Sequence, residues 1–123
     1  MTTRELLEAY YRGLARKQDW ESVIAADFKF ATGDMTKTTP IIGRDAYREV
    51  IRRFAALFTS VRIAEMIVDG DRAFVRASYD FVFPNGKNIR GDVAELWTAR
   101  EGKLSALTIF FDTATFSSLI KSD

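Results

Sequence analysis

Apolar and polar positions divide this chain into a helical first half and an extended second half. Leu6, Leu7, Tyr10, Tyr11 and Leu14 recur at the spacing of one helix face through about Lys17. Thr2 and Glu5 have capping-box spacing, so Thr2 accepts from the third amide while Glu5 reaches back. Asp19 is placed to cap a short second helix carrying Trp20, Val23 and Ile24. Asp27 to Thr32 reads as a strand with Phe28 and Phe30 on one face, and Gly33 to Thr39 as a polar loop. Gly43-Arg44-Asp45 then opens a third helix, with Tyr47, Val50, Ile51, Phe54, Leu57 and Phe58 on its buried side.

The second half is a meander. Asp69-Gly70, Asn85-Gly86 and Glu101-Gly102 separate four extended runs, roughly Val61–Val68, Ala73–Phe83, Asn88–Ala99 and Leu104–Thr115. Asp-Gly and Asn-Gly suit two-residue type I′ hairpins, whose central residues both need positive φ. In the second run Val75, Ala77, Tyr79, Phe81 and Phe83 point one way and Arg76, Ser78 and Asp80 the other. The third sets Val93, Glu95 and Trp97 against Asp92, Ala94, Leu96 and Thr98. The fourth is apolar on both faces, Leu107, Ile109 and Phe111 opposing Ala106 and Phe110. Strands this long must twist and curl. The pattern predicts an α+β fold in which a curled antiparallel sheet forms a cone around the N-terminal helices. The convex face of that sheet is apolar enough to need a cover, and a second copy of the chain, giving a homodimer, is the simplest one.

Composition narrows the chemistry. The 123 residues fit one domain spanning 1–123, large enough to bury a core without staples. A net charge of +1 supplies no field that would collect nucleic acid or a membrane surface. There is no cysteine, so no disulfide, thiolate nucleophile or zinc–thiolate site can form. There is no histidine either, and any proton transfer near neutral pH must fall to Asp, Glu, Tyr or Lys with a shifted pKa. No carboxylate pair has convincing metal spacing, and no cofactor is expected. Arg44, Arg48 and Arg52 form a solvated helix stripe, and Gly43-Arg44-Asp45 lacks the further glycines of a phosphate loop. The opening Met-Thr-Thr-Arg-Glu has no apolar run of signal-peptide length and no stretch is long enough to span a membrane, so a cytoplasmic location is expected.

The element order, together with Leu6-Leu7-Glu8-Ala9-Tyr10-Tyr11, Asp19-Trp20-Glu21, Ile42-Gly43-Arg44-Asp45-Ala46, Val68-Asp69-Gly70-Asp71-Arg72-Ala73, and Glu101-Gly102-Lys103 leading to Phe110-Phe111-Asp112, resembles the nuclear transport factor 2-like superfamily. Within it the chain is similar to the SnoaL-like branch, which includes polyketide cyclases and relatives of ketosteroid isomerase. Ketosteroid isomerases use a first-helix tyrosine, an aspartate base and a protonated carboxylic acid in an apolar site. By resemblance Tyr10 and Glu95 take the first and third places; the base position falls near Thr32, with Asp34 two residues beyond. The last-strand His and Asp of polyketide cyclases correspond to Leu107 and Ile109. Of the Arg, Asp and last-strand Asp of limonene-epoxide hydrolases, Arg76 remains, while Ser78 and Ile109 replace the acids.

These readings converge on a pocket for a small apolar molecule, with an acid/base enzyme of isomerase, cyclase or hydrolase type acting on a cyclic or polyketide-like compound. Tyr10 and Glu95 would donate hydrogen bonds to a carbonyl or enolate, and Asp34 or Asp112 would move a proton. Trp20, Phe28, Phe30, Phe54, Tyr79, Phe81, Trp97, Ile109 and Phe111 are the expected lining; Tyr11 is a weaker candidate. Glu95 is the sharpest signal, because a carboxylate between Val93 and Trp97 must be paired, protonated or near water. The competing expectation is an ion pair with Arg12, Arg76 or Arg90, or a strand inverted so that Glu95 faces solvent. The competing function is a non-catalytic dimerisation or ligand-carrier module whose own aromatic side chains fill the pocket.

Overall fold

A computed structural model describes residues 1–32 and 39–120. Helix α1 spans Thr3–Arg16 and begins with the expected capping box between Thr2 and Glu5. Its last turn ends on Lys17, which adopts a left-handed backbone, and Gly13 allows the chain to fold back tightly there. A Cβ at Gly13 would lie 2.7 Å from the Trp20 amide nitrogen and 2.9 Å from the Gln18 carbonyl. Asp19 does not cap the next element. It too is left-handed, with no side-chain capping bond, and Trp20–Val23 is a 3₁₀ turn, not an α-helix.

The remaining elements are β1 (Ile24–Thr32), β2 (Ile41–Ile42), α2 (Arg44–Ala55), β3 (Phe58–Asp69), β4 (Arg72–Val82), β5 (Asn88–Arg100), β6 (Lys103–Phe110) and α3 (Thr113–Ile120). They form one sheet in the order β2-β1-β6-β5-β4-β3, with α1 and α2 across it. Neighbouring strands are antiparallel except β1 and β6, which run parallel. The curled sheet does not close, and the architecture is the α+β cone expected.

Several boundaries differ from the sequence reading for local reasons. Helix α2 stops at Ala55, and Phe58, expected on that helix, opens β3 instead. Only the Glu101-Gly102 loop has positive φ at both central residues. Asp69 pairs directly with Arg72, so the first loop is Gly70-Asp71 with only the glycine at positive φ. The Asn-Gly pair lies in a longer loop in which the Asn85 side chain accepts from the Lys87 amide. The last strand ends at Phe110, not near Thr115. Asp112 then accepts from the Thr115 amide at 3.0 Å and the Thr115 hydroxyl at 2.8 Å, and starts α3. A run of Thr and Phe reads as a strand by propensity, and this cap overrides it.

The core lies between the helices and the concave face, joining Leu6, Leu7 and Leu14 of α1 to Ile24, Phe28, Val75 and Leu104 of the sheet. On the convex face Ile67, Phe74, Leu96 and Thr108 sit side by side across β3–β4–β5–β6. Ile67 is 57% exposed, Leu96 39% and Phe110 43%. Among the described residues no helix is long and apolar enough to cross a membrane.

Candidate functional site

The strand alternation that turns Val93 and Trp97 inward turns Glu95 inward as well, and it is only 5% exposed. Its partners are tyrosines. The Tyr11 hydroxyl, from α1, donates to one carboxylate oxygen, and the Tyr79 hydroxyl, from β4, donates to the other at 3.0 Å. Trp97 lies two residues along β5 and donates its indole N–H to the Tyr11 oxygen at 3.0 Å. Indole is a donor only, so it occupies a lone pair of Tyr11 and leaves that hydroxyl's own proton for Glu95. The three arginines expected as alternatives do not reach it. Arg76 pairs with Asp92 at 2.9 Å, Arg90 with Asp80 at 3.0 Å, and Arg12 is exposed.

Burial and hydrogen bonding act on this carboxyl in opposite directions. Desolvation raises its pKa, the two tyrosine donors lower it, and burial wins, leaving it up at about 7. Burial, reinforced by the nearby carboxyl, also holds the Tyr11 and Tyr79 hydroxyls well above their ordinary range, so both remain protonated donors.

Beside this network runs a cavity of about 250 Å³. Its wall is built by Leu14 of α1, Val50, Ile51 and Phe54 of α2, Phe30 of β1, Phe81 of β4, Leu107 and Ile109 of β6, and Phe111 and Phe116 around α3. Glu95, Tyr79, Tyr10 and Tyr47 bring the deep polar groups. Tyr10 and Tyr47 share one hydrogen bond of 2.6 Å, so the hydroxyl expected beside Glu95 is bonded to a second tyrosine instead. Thr32, Asp112 and Thr115 lie where β1 and β6 end and α3 begins.

Of the residues anticipated from sequence, the structure gathers Tyr10, Glu95, Phe30, Phe54, Tyr79, Phe81, Ile109 and Phe111 around this cavity. Trp20, Phe28 and Trp97 do not line it. Trp20 packs edge-on against Tyr10 and Tyr47, and Phe28 lies between Tyr47 and Trp97, as a layer behind the wall. Asp112 borders the cavity, but its carboxylate caps α3 and is held below its usual pKa by the Thr115 amide. Asp34 lies outside the described residues. Arg76, the one position retained from the hydrolase pattern, stands on the opposite face of the sheet. The sequence reading missed Tyr47 and underrated Tyr11. Both are tyrosines on the apolar face of a helix, where a hydroxyl needs a buried partner, and that was the available signal. Among the described residues no group of three His, Cys, Asp or Glu could hold a metal ion.

A curled six-stranded sheet around helices, with a cavity opening beside the last strand, is the fold of nuclear transport factor 2-like proteins. The chain belongs to the SnoaL-like domain family, which it matches over residues 4–107. It is similar in structure to TerC co-crystallised with polyporic acid, at 24% identity over 98% of each chain with a TM-score of 0.80. An NTF2-like protein of unknown function from Burkholderia pseudomallei K96243 aligns at 20% identity over 98% of each chain, TM-score 0.80. A candidate SnoaL-like polyketide cyclase from Jannaschia sp. CCS1 aligns at 16% identity, over 98% of this chain and 92% of that one, TM-score 0.82. At these identities the likeness establishes the fold. No curated protein matches in sequence.

Proposed function

We propose that this chain binds a small, largely apolar cyclic or polyketide-like compound in the cavity and exchanges a proton with it through Glu95, the acid/base chemistry of an isomerase, cyclase or hydrolase. The observation that carries this reading is Glu95, among the described residues the one buried carboxyl, which has no cation beside it and lines a cavity whose walls are mainly aromatic and aliphatic. Such a carboxyl titrates near neutrality, where an acid/base group works best. A dry cavity of about 150 Å³ accepts benzene, so 250 Å³ suits roughly ten non-hydrogen atoms, a bicyclic frame and not a steroid.

The test is a thermal-shift titration with neutral bicyclic ketones such as indanone. Wild-type protein should gain melting temperature in proportion to the logarithm of ligand concentration. Val50→Phe, which enlarges a side chain in the wall, should lose that gain while remaining folded. No response to any bicyclic compound would refute the reading.

One feature favours a second reading, a non-catalytic ligand carrier or dimerisation module. Both Glu95 oxygens already accept from tyrosines, which makes the network satisfied without a ligand. Binding without turnover across a panel of cyclic ketones would select that alternative. For either reading we propose a homodimer through the convex sheet face, on the strength of the exposed Ile67, Leu96 and Phe110.

A further inference from the structure

The cavity wall carries information about the charge of its ligand as well as its size. Nine of the residues lining it are Phe or Tyr, so a ligand would meet aromatic rings on several sides. Among the described residues every charged one lining it is acidic: Asp92, Glu95 and Asp112. Among the described residues no Lys or Arg reaches it. Two of these acids are committed elsewhere, since Asp92 pairs with Arg76 and Asp112 caps α3. Glu95 is the acid left inside, and among the described residues it makes no ion pair.

The chemistry of a site so built is asymmetric. An anionic ligand would lose its water with no cation to replace it and would face the Glu95 carboxylate. A cation is attracted by the negative faces of aromatic rings, an attraction that strengthens when the site is desolvated. An ionised carboxylate offers about four acceptor positions, and the Tyr11 and Tyr79 hydroxyls use two. A ligand N–H could therefore bind a free position without displacing either tyrosine. The other titratable groups packed around Glu95 are tyrosines, Tyr10 and Tyr11 from α1, Tyr47 from α2 and Tyr79 from β4, all buried and uncharged. None can neutralise it.

We infer that the cavity takes a small cyclic amine, its protonated nitrogen paired with the Glu95 carboxylate and its carbon frame against the aromatic wall. This rests on the reading that the cavity is a ligand site and names the ligand's class. Binding of the ammonium form requires ionised Glu95, so a protein molecule that holds this proton releases it to solvent as the amine docks. Affinity for the amine should then fall about tenfold per pH unit as pH drops below about 7, while affinity for a neutral ketone of the same frame should not fall.

Three compounds with one ring system separate the possibilities: aminoindane, indanone and indane carboxylate. Their binding is measured by calorimetry on the full chain from pH 5.5 to 8, in two buffers of different ionisation enthalpy. The amine should bind about tenfold tighter than the ketone above pH 7, as one desolvated cation–π contact and one ion pair would give. Proton release should accompany it near pH 6.5, and the carboxylate should not bind. Glu95→Gln should remove the amine's advantage and the proton release. The wild-type ranking of the three ligands tests the inference without depending on that variant. If the ketone or the carboxylate binds as tightly as the amine, the inference fails while the cavity remains a ligand site. If none of the three binds, the ligand-site reading fails and the inference goes with it.

Discussion

Replacing Glu95 by Gln should change the pH dependence of stability more than stability itself. The folded protein holds this carboxyl at about 7 against an ordinary 4.5, so between those values the native state binds a proton that the unfolded chain has released. Stability therefore falls as pH rises across that interval, and the penalty is complete once pH exceeds about 7. At 1.36 kcal/mol per pH unit, a rise from 4.5 to about 7 corresponds to about 3 kcal/mol. Gln cannot titrate. Its oxygen can face Tyr11, whose proton is directed there by the Trp97 indole, and its amide can donate to the Tyr79 oxygen once that hydroxyl rotates. The variant should lie within about 1 kcal/mol of wild type at pH 4.5 to 5. It should then gain on wild type by about 3 kcal/mol as pH rises to 8, which would leave it the more stable protein. Urea denaturation of both proteins at half-unit steps measures this directly, and taking the difference cancels the surface carboxylates. A difference that stays flat, or one in which wild type gains on the variant, would show that the folded protein prefers the carboxylate. Glu95 would then not be an acid at neutral pH.

Other outcomes follow from the same geometry. Tyr79→Phe removes one of two donors to the carboxylate, and should destabilise by about 1–3 kcal/mol above pH 7 and by less near pH 5, read from the same denaturation series. Gly13→Ala places a methyl group within 2.9 Å of backbone at Gln18 and Trp20, and should cost about 1–3 kcal/mol in calorimetric unfolding. Leu96→Arg on the convex face should turn a dimer into a monomer in sedimentation with the cavity unaffected; a wild-type monomer at micromolar concentration would remove the dimer proposal.

Much of this fold was legible in local pattern. The period-two alternation of β5 alone determined that Glu95 shares a face with Val93 and Trp97, because a pleated strand has no other way to present successive side chains. The Thr2–Glu5 capping box depends only on residues three apart, and it formed as read. The start of α3 is equally local, yet its Asp112 cap was hidden by the strand propensity of the residues around it. What the chain alone left open was the partner of Glu95. Tyr79 reaches it from the neighbouring strand β4, but Tyr11 is 84 residues away in sequence and meets it only because the curl of the sheet carries β5 under α1. The same curl set Trp97, Phe28 and Trp20 behind the cavity wall, and Tyr47 in it. Sequence periodicity tells which side of an element is buried, but not which buried residues touch solvent-sized space. That depends on how helices and sheet fail to fill the cone between them, a property of the packed whole.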